Sequence, residues 1–178
     1  MKLRRFTLWI SVTFALLAVS FVGLSFRFAY VQPLTFALDC VNGDWLYSSW
    51  ACEKAIRLRV GKDEADALNR AGKNDIGGPN TVLYQAAALR DRTRANEMLA
   101  FLLAQGVNLD HADVRTGQTA LHAAVVDNDS QAVKLLLKHG ARTNIRDVRQ
   151  HTPLELAQQL QQVQPAQDRS RIIQLLNK

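Results

Sequence analysis

A Thr-x-Leu start opens the run TALHAAVVDNDSQAVKLLLKHGARTNIRD at Thr119 and returns 33 residues later in TPLELA at Thr152. An earlier copy, TVLYQAAALRDRTRANEMLAFLLAQGVNLDHAD, begins at Thr81. A period of this length holds one helix-turn-helix unit, and such a unit buries its apolar face only against a neighbouring copy. The chain is therefore predicted to stack its copies into an all-α solenoid, with about three units as the minimum.

The residues within each copy give the period its physical content. Thr152 can cap a helix with its hydroxyl, Pro153 fits the first helical position where a missing N–H costs nothing, and Glu155 completes a capping box. Leu121, Ala123 and Ala124 give the middle copy a short first helix whose small residues let a second helix approach closely. That second helix carries Val133, Leu135, Leu136 and Leu137, and stops at Gly140, which suits the left-handed position after a helix end. Leu99, Phe101, Leu102, Leu103 and Gly106 repeat the pattern one copy earlier. Polar stretches then follow each glycine, and Gly106, Asp110 and Asp113 keep the spacing of Gly140, Asn144 and Asp147.

The Thr-x-Leu-His start at Thr119, the apolar triplet before glycine and the polar stretch after it resemble the ankyrin repeat. The resemblance covers residues 81 to 178 closely and 45 to 80 in degenerate form. It implies that the polar stretches are hairpin fingers projecting beside the first helices, together making a concave face that holds another protein. Here that face would present His111, Asp113, Arg115, Arg142, Arg146, Arg149 and His151, with Asp110 and Asp147 interleaved. The finger arginines either meet an acidic partner surface or are merely solvated. His122 would be structural, as in the family, together with Thr81, Thr119, Thr152, Pro153, Gly106 and Gly140.

Three departures from the family pattern carry expectations of their own. Four extra residues around Arg90, Asp91, Arg92, Thr93 and Arg94 should make that turn bulge. Gln150 replaces glycine in the last finger. The glutamine-rich insertion AQQLQQVQPAQDRSR delays the final helix, Ile172 to Leu176, and its glutamines with Asp168, Arg169 and Arg171 should give residues 152 to 178 the wettable outer face of a C-terminal cap.

Ahead of the repeats, WACEKAIRLRV and DEADALNRAGKND offer two helical stretches, with Trp50, Ala51, Lys54, Ala55 and Leu58 on one and Ala65, Ala67, Leu68 and Ala71 on the next. Gly72 would end the second. Residues 40–80 thus read as a degenerate N-terminal capping repeat, followed by repeats at 81–118 and 119–151.

The N-terminus is of a different kind. Four of the 22 Lys and Arg lie in the first thirty residues, which contain no acidic residue, leaving 18 against all 16 Asp and Glu. The formal charge of +6 is therefore mostly N-terminal, and nucleic-acid binding, which needs clustered cations on a folded face, is not expected. Phe6 to Phe26 is an unbroken stretch of 21 uncharged residues, long enough to span a hydrocarbon core of about 30 Å. Lys2, Arg4 and Arg5 favour a cytoplasmic basic tip at 1–5, a transmembrane helix or signal anchor at 6–26 and a linker at 27–39. Cleavage after a secretory signal is the rival reading, since Ala18, Val19 and Ser20 are small enough for a signal peptidase. Both readings export the C-terminal part of the chain, so the expected location is a bacterial inner membrane with the C-terminal domain in the periplasm.

That compartment bears on the two cysteines. Cys40 and Cys52 would pair in an oxidising environment, whereas zinc would need two more ligands and no histidine lies within fifty residues of either. A bridge closing a loop of about thirteen residues contributes up to about 3 kcal/mol in the chain-entropy model. Trp45 and Trp50 would then cover the open end of the first repeat.

A search for catalytic patterns gives no phosphate-cradling loop, no Gly-x-Ser-x-Gly elbow and no zinc-type pairing of Cys or His. No cofactor and no metal are expected. The expected function is a non-catalytic protein-binding module facing the periplasm. The resemblance to small exported ankyrin-type proteins of bacteria suggests an immunity or self-protection protein occluding a toxic or lytic enzyme. The alternatives are an accessory to a periplasmic enzyme, such as an oxidative-stress enzyme, and a membrane-tethered structural subunit.

Overall fold

The computed structural model describes residues 49–70 and 79–177, together with Leu38 and Val41. The apolar stretch 6–26, Cys40, Trp45, Ala71 and Gly72 lie outside the described residues. Among those described, no helix is long and apolar enough to cross a membrane, and all regular structure is helical. The chain divides between Arg59 and Val60 into two compact units.

In the first unit, α1 runs Ser49–Arg59. It buries Ala51, Cys52, Ala55 and Ile56 completely, a stripe recurring at one and four residues as a helical face requires. The expected stripe was off by one position. Trp50 and Leu58 are 58% and 64% exposed, because turning the face toward Cys52 and Ile56 puts them on the outer side. Lys54 Nζ lies 5.1 Å from the centre of the Trp50 ring, a cation–π contact on that outer side. Arg57 pairs with Glu53 one turn earlier at 2.9 Å.

The second unit contains α2 (Lys62–Asn69), α3 (Pro79–Ala87), α4 (Arg92–Ala104), α5 (Ala120–Val126), α6 (Ser130–Lys138), α7 (Pro153–Val163) and α8 (Ser170–Leu176). Helices α3 and α4, α5 and α6, and α7 and α8 pack as successive hairpins; α3, α5 and α7 stack side by side as the first helices. Their facing surfaces are small: Ala86, Ala87, Ala120, Ala124 and Ala157 are buried. Larger side chains fill the layer between first and second helices, including Leu83, Leu99, Leu102, Leu121, Leu136 and Ile172, each 1% exposed or less. On α2, Ala65 is buried while Ala67 is exposed and Leu68 half-buried.

Chain turns follow the cap chemistry. Gly106 and Gly140 adopt φ of +97° and +90°. After them the Val107 and Ala141 N–H groups reach back to Leu102 and Leu136 carbonyls at 3.2 and 3.1 Å, the Schellman closure that satisfies a helix end. Thr152 and Glu155 form a reciprocal capping box, with Thr152 N–H donating to Glu155 Oε2 at 2.8 Å.

Two expectations fail at turns. Thr81 does not start α3, which begins at Pro79 with Thr81 inside its first turn. Proline takes the first helical position here and lies two residues ahead of Thr81, whereas Thr152 directly precedes its proline. The extra residues 90–94 do not bulge either. Asp91 caps α4 by accepting from Thr93 N–H at 2.9 Å and Arg94 N–H at 3.2 Å. The insertion is absorbed as an added turn, giving α4 13 residues against 9 in α6. Much of the glutamine-rich insertion is helical too, since α7 continues to Val163.

Candidate protein-binding surface

The finger after α4 is shaped by Asp113. Its Oδ1 accepts from Arg115 N–H at 3.0 Å, Thr116 N–H at 2.8 Å and the Thr116 hydroxyl at 3.0 Å. Partial burial raises the Asp113 carboxyl pKa, but these donors and the nearby Arg115 charge outweigh it and hold it below its ordinary value. Asp147 does the same work in the next finger, accepting from Arg149 N–H at 2.8 Å and His151 N–H at 2.9 Å. Its side chain is almost fully buried. Both carboxylates are thus committed to their own turns.

The two fingers touch through their backbones. Val148 N–H donates to the Thr116 carbonyl at 3.0 Å. Gly117 makes this possible: its φ is +67°, and a Cβ there would fall 2.8 Å from Val148 N. Gln150, at the matching turn, has φ +66°. Its side chain is exposed.

A second tie is Asp110, which accepts Arg142 N–H at 2.9 Å and Arg142 Nε at 2.8 Å. Asn69 joins α2 to the first finger by donating to the Gly106 carbonyl and accepting from Asn108 N–H, both at 2.8 Å. Arg146 donates to the Gln150 carbonyl and to Glu155 Oε2, the latter at 2.7 Å. Thr152 N–H and the Arg146 guanidinium together keep the Glu155 carboxyl below its usual range.

Under the fingers lies His122, which is fully buried. Its Nδ1 accepts from Thr119 N–H at 3.2 Å, placing the proton on Nε2, which faces the His151 carbonyl at 3.1 Å. Burial lowers its pKa, so the ring is held neutral. Tyr84 of α3 is hydrogen-bonded to Asp127 beyond α5, and burial with that carboxylate pushes its phenol well above the ordinary value.

Of the seven residues expected to face a partner, the structure commits three internally: Asp113, Arg142 and Arg146. His111 and His151 are half-buried, with His151 Nδ1 4.0 Å from Asp147 Oδ1. The guanidiniums of Arg115 and Arg149 are exposed and make no hydrogen bond or ion pair among the described residues. These two arginines border a cleft of about 280 Å³ that is also lined by Asp147, Thr116, Gln118, Val126, Val148, Leu156 and Leu160. Among the described residues no cluster of three or more His, Cys, Asp or Glu could hold a metal.

Sequence reasoning missed two features. Asp91, Asp129 and Asp168 all serve the starts of second helices, Asp129 accepting from Gln131 and Ala132 N–H and Asp168 from Ser170 N–H; they recur 38 and 39 residues apart, wider than the 33 from Thr119 to Thr152. Arg169, expected on the wettable outer face, is instead buried, its guanidinium donating to carbonyl and amide oxygens, and nothing local distinguishes it from its exposed neighbours.

Stacked helical hairpins with glycine-ended second helices and backbone-tied fingers define a repeat scaffold of the ankyrin type. A family model described as ankyrin repeats in three copies matches residues 62–147 and 83–167, so the chain belongs to the ankyrin-repeat family. It is 48% identical over 59 residues to mouse ankyrin repeat and SOCS box protein 6, covering 33% of this chain and 14% of that protein. It is 35% identical over 79 residues to the Arabidopsis thaliana E3 ubiquitin-protein ligase KEG, covering 43% of this chain and 5% of that one. A 34% identity over 84 residues links it to the rice potassium channel AKT3, covering 47% and 9% respectively. The chain spans only a small fraction of these relatives' lengths. The family supports a protein–protein interaction module with protein partners.

Proposed function

We propose that the chain is a non-catalytic module that holds one partner protein on its fingers and concave face while tethered to a membrane. The observation that carries the binding reading is the Arg115–Arg149 cleft, where exposed cations and apolar side chains meet beside rigidly tied fingers. Interfaces of this kind combine an apolar centre with a polar rim. The test is co-purification of the tagged full chain from solubilised cells. A specific partner should be lost on Val126→Arg, which places a large cation in the cleft, and retained on Lys134→Glu on α6. A partner retained equally by both variants would exclude the concave face.

Residues 6–26 support the tether, and export supports a Cys40–Cys52 disulfide, with Cys52 fully buried in α1. A C-terminal alkaline phosphatase fusion should be active and a fluorescent-protein fusion dark if the repeats lie in the periplasm; the reverse pattern rejects that location. Thiols that alkylate freely in unreduced, denatured protein would reject the bridge. Within this setting an immunity role against a toxic or lytic enzyme is the sharper form of the proposal. It requires that deletion sensitise cells to a co-encoded enzyme.

A further inference from the structure

The tripeptide Asp-Val-Arg occurs twice, at 113–115 and 147–149, once in each finger. In both copies the aspartate is turned inward onto backbone N–H groups. In both, the valine is turned outward, Val114 at 48% and Val148 at 61% exposure. The arginine that follows is exposed and unpartnered among the described residues in each case.

The fold separates these charges in space, carboxylates inward and guanidiniums outward. Along the sequence the finger arginines are interleaved with aspartates, which would leave the surface close to neutral. In the folded chain, Asp113 and Asp147 serve their turns, while Asp110 pairs with Arg142 and Glu155 with Arg146 at 2.8 and 2.7 Å. The guanidiniums of Arg115 and Arg149 are exposed and make no ion pair among the described residues, and the cleft beside them is lined by the inward-turned Asp147 and the apolar Val126, Val148 and Leu160.

We propose that this Asp-Val-Arg ladder recognises an acidic protein segment, with carboxylates on Arg115 and Arg149 and an apolar side chain of the same segment in the cleft. The proposal rests on the protein-binding reading above and names the ligand chemistry of that surface. A guanidinium's planar fork matches a carboxylate in bidentate fashion, and a recessed apolar floor gives the segment a side-chain anchor. A bilayer of anionic headgroups would satisfy the arginines but leave the recess unfilled.

The test is selection of short random displayed peptides on the immobilised full chain, followed by affinity measurement with the synthetic consensus peptide. The consensus should carry Asp or Glu flanking an aliphatic or aromatic residue. Its affinity should fall about tenfold for Arg115→Glu or Arg149→Glu, fall less for the Gln variants, and weaken as salt rises. Lys134→Glu should leave it unchanged, and unaltered thermal unfolding of the arginine variants would show that the fold persists. No enrichment, a consensus without acidic residues, or indifference to both arginines overturns the proposal. Phosphatidylglycerol vesicles that bind the chain with the same arginine dependence, and displace the peptide, overturn it in favour of a lipid surface. A neutral or basic consensus that Val126→Arg abolishes would leave the binding module standing and remove only its acidic ligand.

Discussion

His122 shows how one residue can join two repeats and make them sensitive to acid. Its neutral ring accepts from Thr119 and faces the His151 carbonyl; protonation would set a second N–H against the Thr119 donor. Because burial lowers the folded pKa below the ordinary 6.5, the stabilisation is complete above that value and is lost as pH falls through the folded one. His139 is lowered likewise, by burial and by Lys138, and acts with the same sign. Denaturation should therefore show a fall in stability from pH 7 toward pH 5. His122→Ala should cost roughly 1–3 kcal/mol at neutral pH and flatten that dependence. Equal acid slopes in both proteins would clear His122 of the role. The left-handed turns give a second contrast at this scale. Gly117→Ala brings a Cβ against the Val148 backbone and should separate the fingers. Gln150→Gly relieves a positive φ with no such contact at stake and should stabilise by up to about 1 kcal/mol. Paired melting curves of the two variants test both signs together.

Each second helix begins under an aspartate, and here local chemistry outweighs intrinsic propensity. Removing the cap in Asp129→Ala should cost about 1 kcal/mol, and Asp91→Ala a similar amount, measurable by urea titration. The two helices differ in length yet start on the same device, which explains why the insertion at 90–94 became a helical turn. Much at this scale was legible beforehand. The capping box at Thr152, the glycine ends and the polar fingers follow from residue types that impose a local geometry whatever surrounds them. What escaped was set by tertiary partners. Nothing in α1 alone decides between a face with Trp50 and Leu58 and one with Cys52 and Ile56, since both share Ala51 and Ala55. The charge of the fingers escaped for a related reason: neighbouring positions cannot show that Asp113 points at its own backbone while Arg115 points away. The family resemblance suggested which face to consider; the geometry of each turn decided which of its side chains are left without an internal partner.

At the scale of the stacked repeats, stability passes between nearest neighbours, so each junction decides how far fraying can spread. The segment between α7 and α8 is organised around Arg169, 1% exposed. Its Nη2 donates to the Val126 carbonyl at 3.4 Å, to Gln164 Oε1 at 3.3 Å and to Gln167 Oε1 at 2.9 Å. Val126 closes α5, so the guanidinium sits where that helix presents unpaired carbonyls and the negative end of its dipole, in place of a carboxylate. Asn128 adds a bond to the Asp168 carbonyl at 3.3 Å. Together they tie the α7–α8 hairpin to the α5–α6 hairpin by a charge rather than by packing alone. Arg169→Ala should therefore cost about 1.5–3 kcal/mol, and Arg169→Lys an intermediate amount because an ammonium lacks the planar fork. Native-state hydrogen exchange locates the loss. Amides of α7 and α8 should lose protection first, α5 and α6 less, and α3 and α4 least. A uniform loss across all six helices would mean that the repeats unfold as a single cooperative block and that Arg169 is not a local cap.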